Sequence, residues 1–152
     1  MRGSMRMIAA ATAIALVGAL ATGALAGNDR NKLRANLTGA AEAPDNGDPN
    51  GSGTAFVTLK SRVKRVCFNI TFRRIAKPIA GHIHRGARNV AGPIVVPLFE
   101  RASGASSPIR GCAKDVSRDT IRRIRNRPGR FYVNLHNAPF PAGVIRGQLR
   151  VR

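Results

Sequence analysis

The sequence has no tryptophan, one tyrosine, and only seven aspartates and glutamates among 152 residues, against 26 lysines and arginines. So few carboxylates argue against hydrolysis of glycosides, which needs two facing carboxyl groups. None of Glu42, Asp45, Asp48, Glu100, Asp115 or Asp119 sits at a strand centre with an evident partner. A Gly-x-Ser-x-Gly turn, which would present a serine nucleophile, is missing as well. Cysteine is limited to Cys67 and Cys112, and histidine to His82, His84 and His136. There are no internal repeats or low-complexity tracts, and after residue 26 no run approaches the ~20 apolar residues that a membrane helix takes.

The first 26 residues read as a secretory signal. Arg2 and Arg6 give a basic start, an Ala-rich apolar stretch follows, and Ala24-Leu25-Ala26 fits a cleavage site with small residues. An uncleaved membrane anchor is the competing reading, and the Ala/Gly-rich end together with the cleavage motif favours removal. Gly27, where a lipid-anchored form would need cysteine, follows the expected cut. The expected mature chain, residues 27–152, has the length of one ordinary domain, secreted or periplasmic. An oxidising compartment permits a disulfide, and two cysteines allow one pairing, Cys67–Cys112. In the chain-entropy view such a closure contributes about 4 kcal/mol.

Removing residues 1–26 takes Arg2 and Arg6 with it, so 24 cations face seven anions and a net charge of +17 remains. Most of the excess is arginine, whose planar fork suits carboxylate, sulfate and phosphate. A field of that sign concentrates an exported protein at anionic surfaces, unless it only mirrors the composition of the source proteome.

Period-two alternation dominates the chain. Residues 32–38, 54–60, 66–72, 78–84, 94–99, 131–136 and 144–151 are strand-length segments bounded by Gly, Pro, Asn or Asp. The expectation is an all-β, Ig-like or Greek-key antiparallel β-sandwich of seven or eight strands with one short helix. That helix is expected over residues 119–126, where Ile121 and Ile124 are three apart, Ser117 or Asp119 caps the start, and Pro128-Gly129 stops it. Arg122, Arg123, Arg125, Arg127 and Arg130 cluster here as candidate anion-binding residues. No aromatic residue is interleaved among them for base stacking, so a solvated crossover helix fits better than a nucleic-acid site.

Strand parity places the histidines. Phe131, Val133 and Leu135 share one face of their segment, which leaves Tyr132, Asn134 and His136 on the other. Ile79 and Ile83 are core-facing, opposite Ala80, His82 and His84. In the last segment Ile145, Gly147 and Leu149 face the core, while Val144, Arg146, Gln148 and Arg150 are expected to point outward. All three histidines therefore fall on polar faces, and imidazoles at i and i+2 converge on one ion if their strand bends. A third imidazole from a neighbouring strand would complete a site suited to copper or zinc, with copper favoured by intrinsic affinity. Without adjacency of the strands, these are three solvated surface histidines.

Five stretches together carry a resemblance. LTGAAEAP from Leu37, GSGTAFVTL from Gly51, VCFNITF from Val66, GHIHRGA with AGPIVVPL from Gly81 to Leu98, and FYVNLHNAPFPAGVIRGQL from Phe131 resemble the CHRD domain, named from chordin. The resemblance implies an extracellular Ig-like sandwich with no settled biochemical activity. Its signature falls on Glu42, His82, His84, Asn134, His136, Gly143, Arg146, Gly147 and Gln148. Val144 departs from it, standing where the family usually has a glutamate. A weaker similarity, to copper/zinc superoxide dismutase, implies His82, His84 and His136 as copper ligands and Arg146 as the residue that steers the anion. The chain has neither the zinc subsite nor a fourth copper histidine. Three functions follow: a non-catalytic binding module for an extracellular protein or an anionic polysaccharide or surface; a copper protein, carrier or dismutase-like; and a structural matrix domain.

Overall fold

A computed structural model of the chain describes residues 29–152; the signal-peptide reading of residues 1–26 lies outside them. The strands are β1 (Lys32–Thr38), β2 (Ser52–Lys60), β3 (Arg65–Arg73), β4 (Ala80–Arg85), β5 (Ile94–Glu100), β6 (Ile109–Ala113), β7 (Phe131–His136), β8 (Ile145–Gln148) and β9 (Arg150–Val151), with one helix, α1 (Arg118–Asn126). They pair antiparallel in the order β5-β4-β7-β8-β1-β2-β3-β6, and β9 adds to β1. The outer strands β5 and β6 pack against each other, so the sheet is nearly closed. This is the expected all-β architecture.

Its two halves, β5-β4-β7-β8 and β1-β2-β3-β6, meet where Thr38 pairs with Arg146 and where β9 pairs with Leu33 and Arg34. Alternation drives Leu33, Leu37, Val57, Ile70, Ile83, Leu135 and Ile145 into the space between them, all fully buried. The helix α1 adds Ile121 and Ile124 to that core and turns Arg118, Arg122 and Arg123 outward, with Arg125 half-buried. Ser117 caps it: the hydroxyl accepts from the Thr120 amide at 3.0 Å, satisfying a donor with no intrahelical partner.

Two segments differ from expectation. Residues 109–113 form a strand, β6, that alternation did not single out, because Gly111 and Ala113 give its inner face little apolar contrast. The last expected strand, residues 144–151, is divided between β8 and β9 at Leu149, whose amide bonds to the Phe131 carbonyl at 2.9 Å. Val144 and Arg146, expected to point outward, are 0% and 1% exposed, because loops cover that face of the sheet.

Cys67 and Cys112 are disulfide-bonded, as expected, and lie directly opposite each other in β3 and β6. The bond fastens an outer strand whose other long edge only packs against β5. Reduction, or a Cys67→Ser/Cys112→Ser double variant, is expected to lower stability by about 2–4 kcal/mol, read from urea midpoints with and without reductant. Coincident midpoints would show that the β3–β6 ladder holds without it.

Candidate metal centre

The strand carrying His136 is the direct neighbour of the strand carrying His82 and His84. In the β4–β7–β8 ladder, His82 lies opposite Asn134, which lies opposite Arg146; His84 lies opposite Tyr132, which lies opposite Gln148; and Ala80 lies opposite His136. Residues directly opposite share a face with Cβ atoms about 5 Å apart, and diagonal neighbours remain within side-chain reach. Against β5, β4 is irregular at Gly81/His82 and again at Ile83/His84. Such bulges bend a strand and re-aim its side chains, and here one immediately precedes each histidine.

The three imidazoles converge. One ring nitrogen from each lies within 4.8 Å of the others, and His82 Nδ1 is 3.1 Å from His136 Nε2. His82 and His84 are 7% and 9% exposed, and His136 is half-buried. Backbone carbonyls beside the rings fix two of the tautomers. His84 Nδ1 is 2.8 Å from the Gly92 carbonyl and His136 Nδ1 is 2.9 Å from the Pro141 carbonyl. A carbonyl only accepts, so in the neutral rings both Nδ1 atoms carry the proton and both Nε2 atoms present lone pairs. His84 Nε2 is buried and has no hydrogen-bond partner. Burial pushes the His82 pKa down to about 4, helped by repulsion from His136 and His84, and burial likewise lowers those of His84 and His136. Neutral, oriented imidazoles with the outer N–H held by backbone carbonyls are what a metal ligand set requires.

Loops roof this face. Arg146 Nη2 donates to the Ala87 carbonyl at 2.7 Å and its guanidinium lies 3.4 Å from the centre of the Tyr132 ring, which also stacks on His84. Gln148 Nε2 donates to the Gly86 and Gly129 carbonyls at 2.6 and 2.9 Å. The Gly92 amide donates to the Tyr132 hydroxyl at 3.1 Å. From the other end comes Glu42, 7% exposed, whose Oε2 accepts from Asn134 Nδ2 at 2.7 Å. A Cβ at Gly143 would stand 2.5 Å from that same oxygen and 2.8 Å from Asn134 Nδ2, so a side chain there would push this pair aside.

A family profile described as the CHRD domain matches residues 33–149. The chain belongs to the CHRD family. No curated protein and no solved structure matches it.

In this CHRD domain the nine signature positions form one connected region rather than scattered marks. Glu42 and Asn134 bond to each other, Gly143 makes room for them, Arg146 and Gln148 hold down the 86–92 loop, and the histidines occupy the centre. At Val144, where the family usually has a glutamate, this chain buries an apolar side chain, and the carboxyl beside Asn134 is that of Glu42. Sequence reasoning did not single out Tyr132, which parity already placed on the histidine face. The five candidate arginines lie elsewhere. Arg122, Arg123, Arg127 and Arg130 line a cleft beside α1, while Arg125 is half-buried and does not line it.

Proposed function

We propose that this CHRD domain is a secreted or periplasmic, non-catalytic binding module whose specific ligand is one copper ion held by His82, His84 and His136. The observation that carries the reading is the Nε2 atom of His84, buried without a partner in a cluster of three imidazoles that offer nitrogens within 4.8 Å of one another. An orphaned buried acceptor costs about 1–3 kcal/mol, and a metal ion removes that cost. Three nitrogens suit copper or zinc, and intrinsic affinity orders copper above zinc. The disulfide and the family fit an extracellular protein.

The dismutase-like alternative asks Arg146 to steer an incoming anion. Its guanidinium is 1% exposed and engaged by the Ala87 carbonyl and the Tyr132 ring, which favours a holder of metal over a catalyst of superoxide turnover. Equilibrium dialysis against Cu(I), Cu(II) and Zn(II) tests the assignment: about one copper per chain is expected, lost in His84→Ala. A wild-type metal content no higher than that of the variant would remove the copper reading, with circular dichroism confirming that both proteins are folded.

A further inference from the structure

The sequence spreads its arginines along the chain, and the fold gathers five of them. Because α1 buries Ile121 and Ile124, its Arg122 and Arg123 face outward, towards Arg127 and Arg130 just beyond its end and Arg85 at the end of β4. Together they line a cleft of about 500 Å³. A shallower depression continues from it and shares Arg127 and Arg130. Asp119 pairs with Arg122 and Arg123, and among the described residues no carboxylate pairs with Arg85, Arg127 or Arg130.

Like charges held in one cleft repel each other, and a polyanion lying in it relieves that repulsion. Guanidinium forks bind sulfate and carboxylate in two-point geometry. The Gly86 and Ala87 wall is already held by Gln148 and Arg146, so the backbone on that side needs no ordering on binding. Phe131, the one aromatic residue lining the cleft, is 4% exposed and presents no ring face on which a base could stack. We infer that this cleft binds a linear acidic polysaccharide through sulfate or uronate groups, at a site separate from the histidine centre and independent of its metal.

The test compares two triple variants of equal charge in the otherwise intact protein: Arg85→Gln/Arg127→Gln/Arg130→Gln in the cleft, and Arg62→Gln/Arg101→Gln/Arg110→Gln elsewhere. All six side chains are exposed, and should Arg85→Gln disturb β4, Arg127→Gln/Arg130→Gln carries the test. Labelled heparin and galacturonate hexasaccharides are titrated by fluorescence anisotropy at about 0.15 M salt. The cleft variant is expected to weaken binding by about 30-fold or more, and the control by about threefold or less. Which sugar responds identifies sulfate or carboxylate as the recognised group. Equal losses in the two variants, or no binding of either sugar by the wild type, overturn the proposal. So does an equally long single-stranded oligonucleotide that binds as tightly and is lost to the same degree in the cleft variant, since the partner would then be nucleic acid.

Discussion

Glu42→Gln is expected to make the domain more stable at pH 8, by about 4 kcal/mol relative to wild type when both are referenced to pH 5. Glu42 is nearly inaccessible, one of its oxygens accepts from Asn134, and the other is buried without a partner. Burial pushes its pKa from 4.5 up to about 8, outweighing the Arg146 charge and the Asn134 bond, which act the other way. A carboxyl whose pKa is raised on folding contributes its full stability below its unfolded value. That contribution is lost as pH rises through the folded value, because the unfolded chain releases a proton that the folded chain keeps. The slope is about 1.4 kcal/mol per pH unit. Glutamine has the shape of the protonated acid and no proton to lose, so this position contributes no slope in the variant, and the difference between the two curves isolates Glu42.

The acid side has the opposite sign. Histidines held neutral by burial contribute stability above their ordinary pKa of 6.5, and it is lost as pH falls towards the folded value of about 4 at His82. The chelator-treated protein is therefore expected to be most stable near pH 6.5, since up to three histidine slopes outweigh the single Glu42 slope below that point. Urea midpoints from pH 4 to pH 8 read both arms. If the wild-type and Glu42→Gln curves stay parallel from pH 5 to pH 8, Glu42 is ionised in the native state and Arg146 acts as its counter-ion.

Alternation shows which residues share a face, and it cannot show what covers that face. Parity separated Val133 and Leu135 from Asn134 and His136 correctly, and the buried row Leu33, Leu37, Ile83 and Ile145 follows the same rule. It took the polar face to be solvent-exposed, and there the structure differs. Arg146 and Val144 are buried because the 86–92 loop and the Glu42 segment fold over the sheet. Loop placement depends on contacts such as Glu42 to Asn134, 92 positions apart, which no local periodicity records. The adjacency of β4 and β7 was equally out of reach: order within a sheet is a property of topology, and alternation is the same in any order. Where a signal was local, as in the Ile121/Ile124 spacing and the Ser117 cap of α1, sequence and structure agree to within one residue. β6 escaped notice because a short strand with small inward residues carries almost no hydrophobic contrast.

The family signature explained by the strictest geometry is Gly147, and Gly147→Ala is expected to cost more than about 4 kcal/mol. A Cβ there would lie 2.0 Å from the Asn36 carbonyl oxygen and 2.7 Å from its carbon, both backbone atoms, where real contacts stay beyond 3.0 Å. Neither strand is free to retreat. Asn36 is fixed in the β1–β2 ladder opposite Thr54, and Gly147 in the β7–β8 ladder opposite Val133. This is also the seam between the two halves of the sheet, since the neighbouring Arg146 makes the pair with Thr38. Moving β8 outward would draw Arg146 off the Ala87 carbonyl and the Tyr132 ring, and with them the loop whose Gly92 carbonyl orients His84. Under the copper proposal, the variant should lose metal in the same range of denaturant in which it loses structure. Gly129→Ala is the control: a Cβ there meets nothing within 4 Å, and its urea midpoint is expected to correspond to within about 1 kcal/mol of wild type. If Gly147→Ala matched that control, the closeness of β1 and β8 would not be what sets the separation of the halves, and the histidine face would owe its shape to the loops alone.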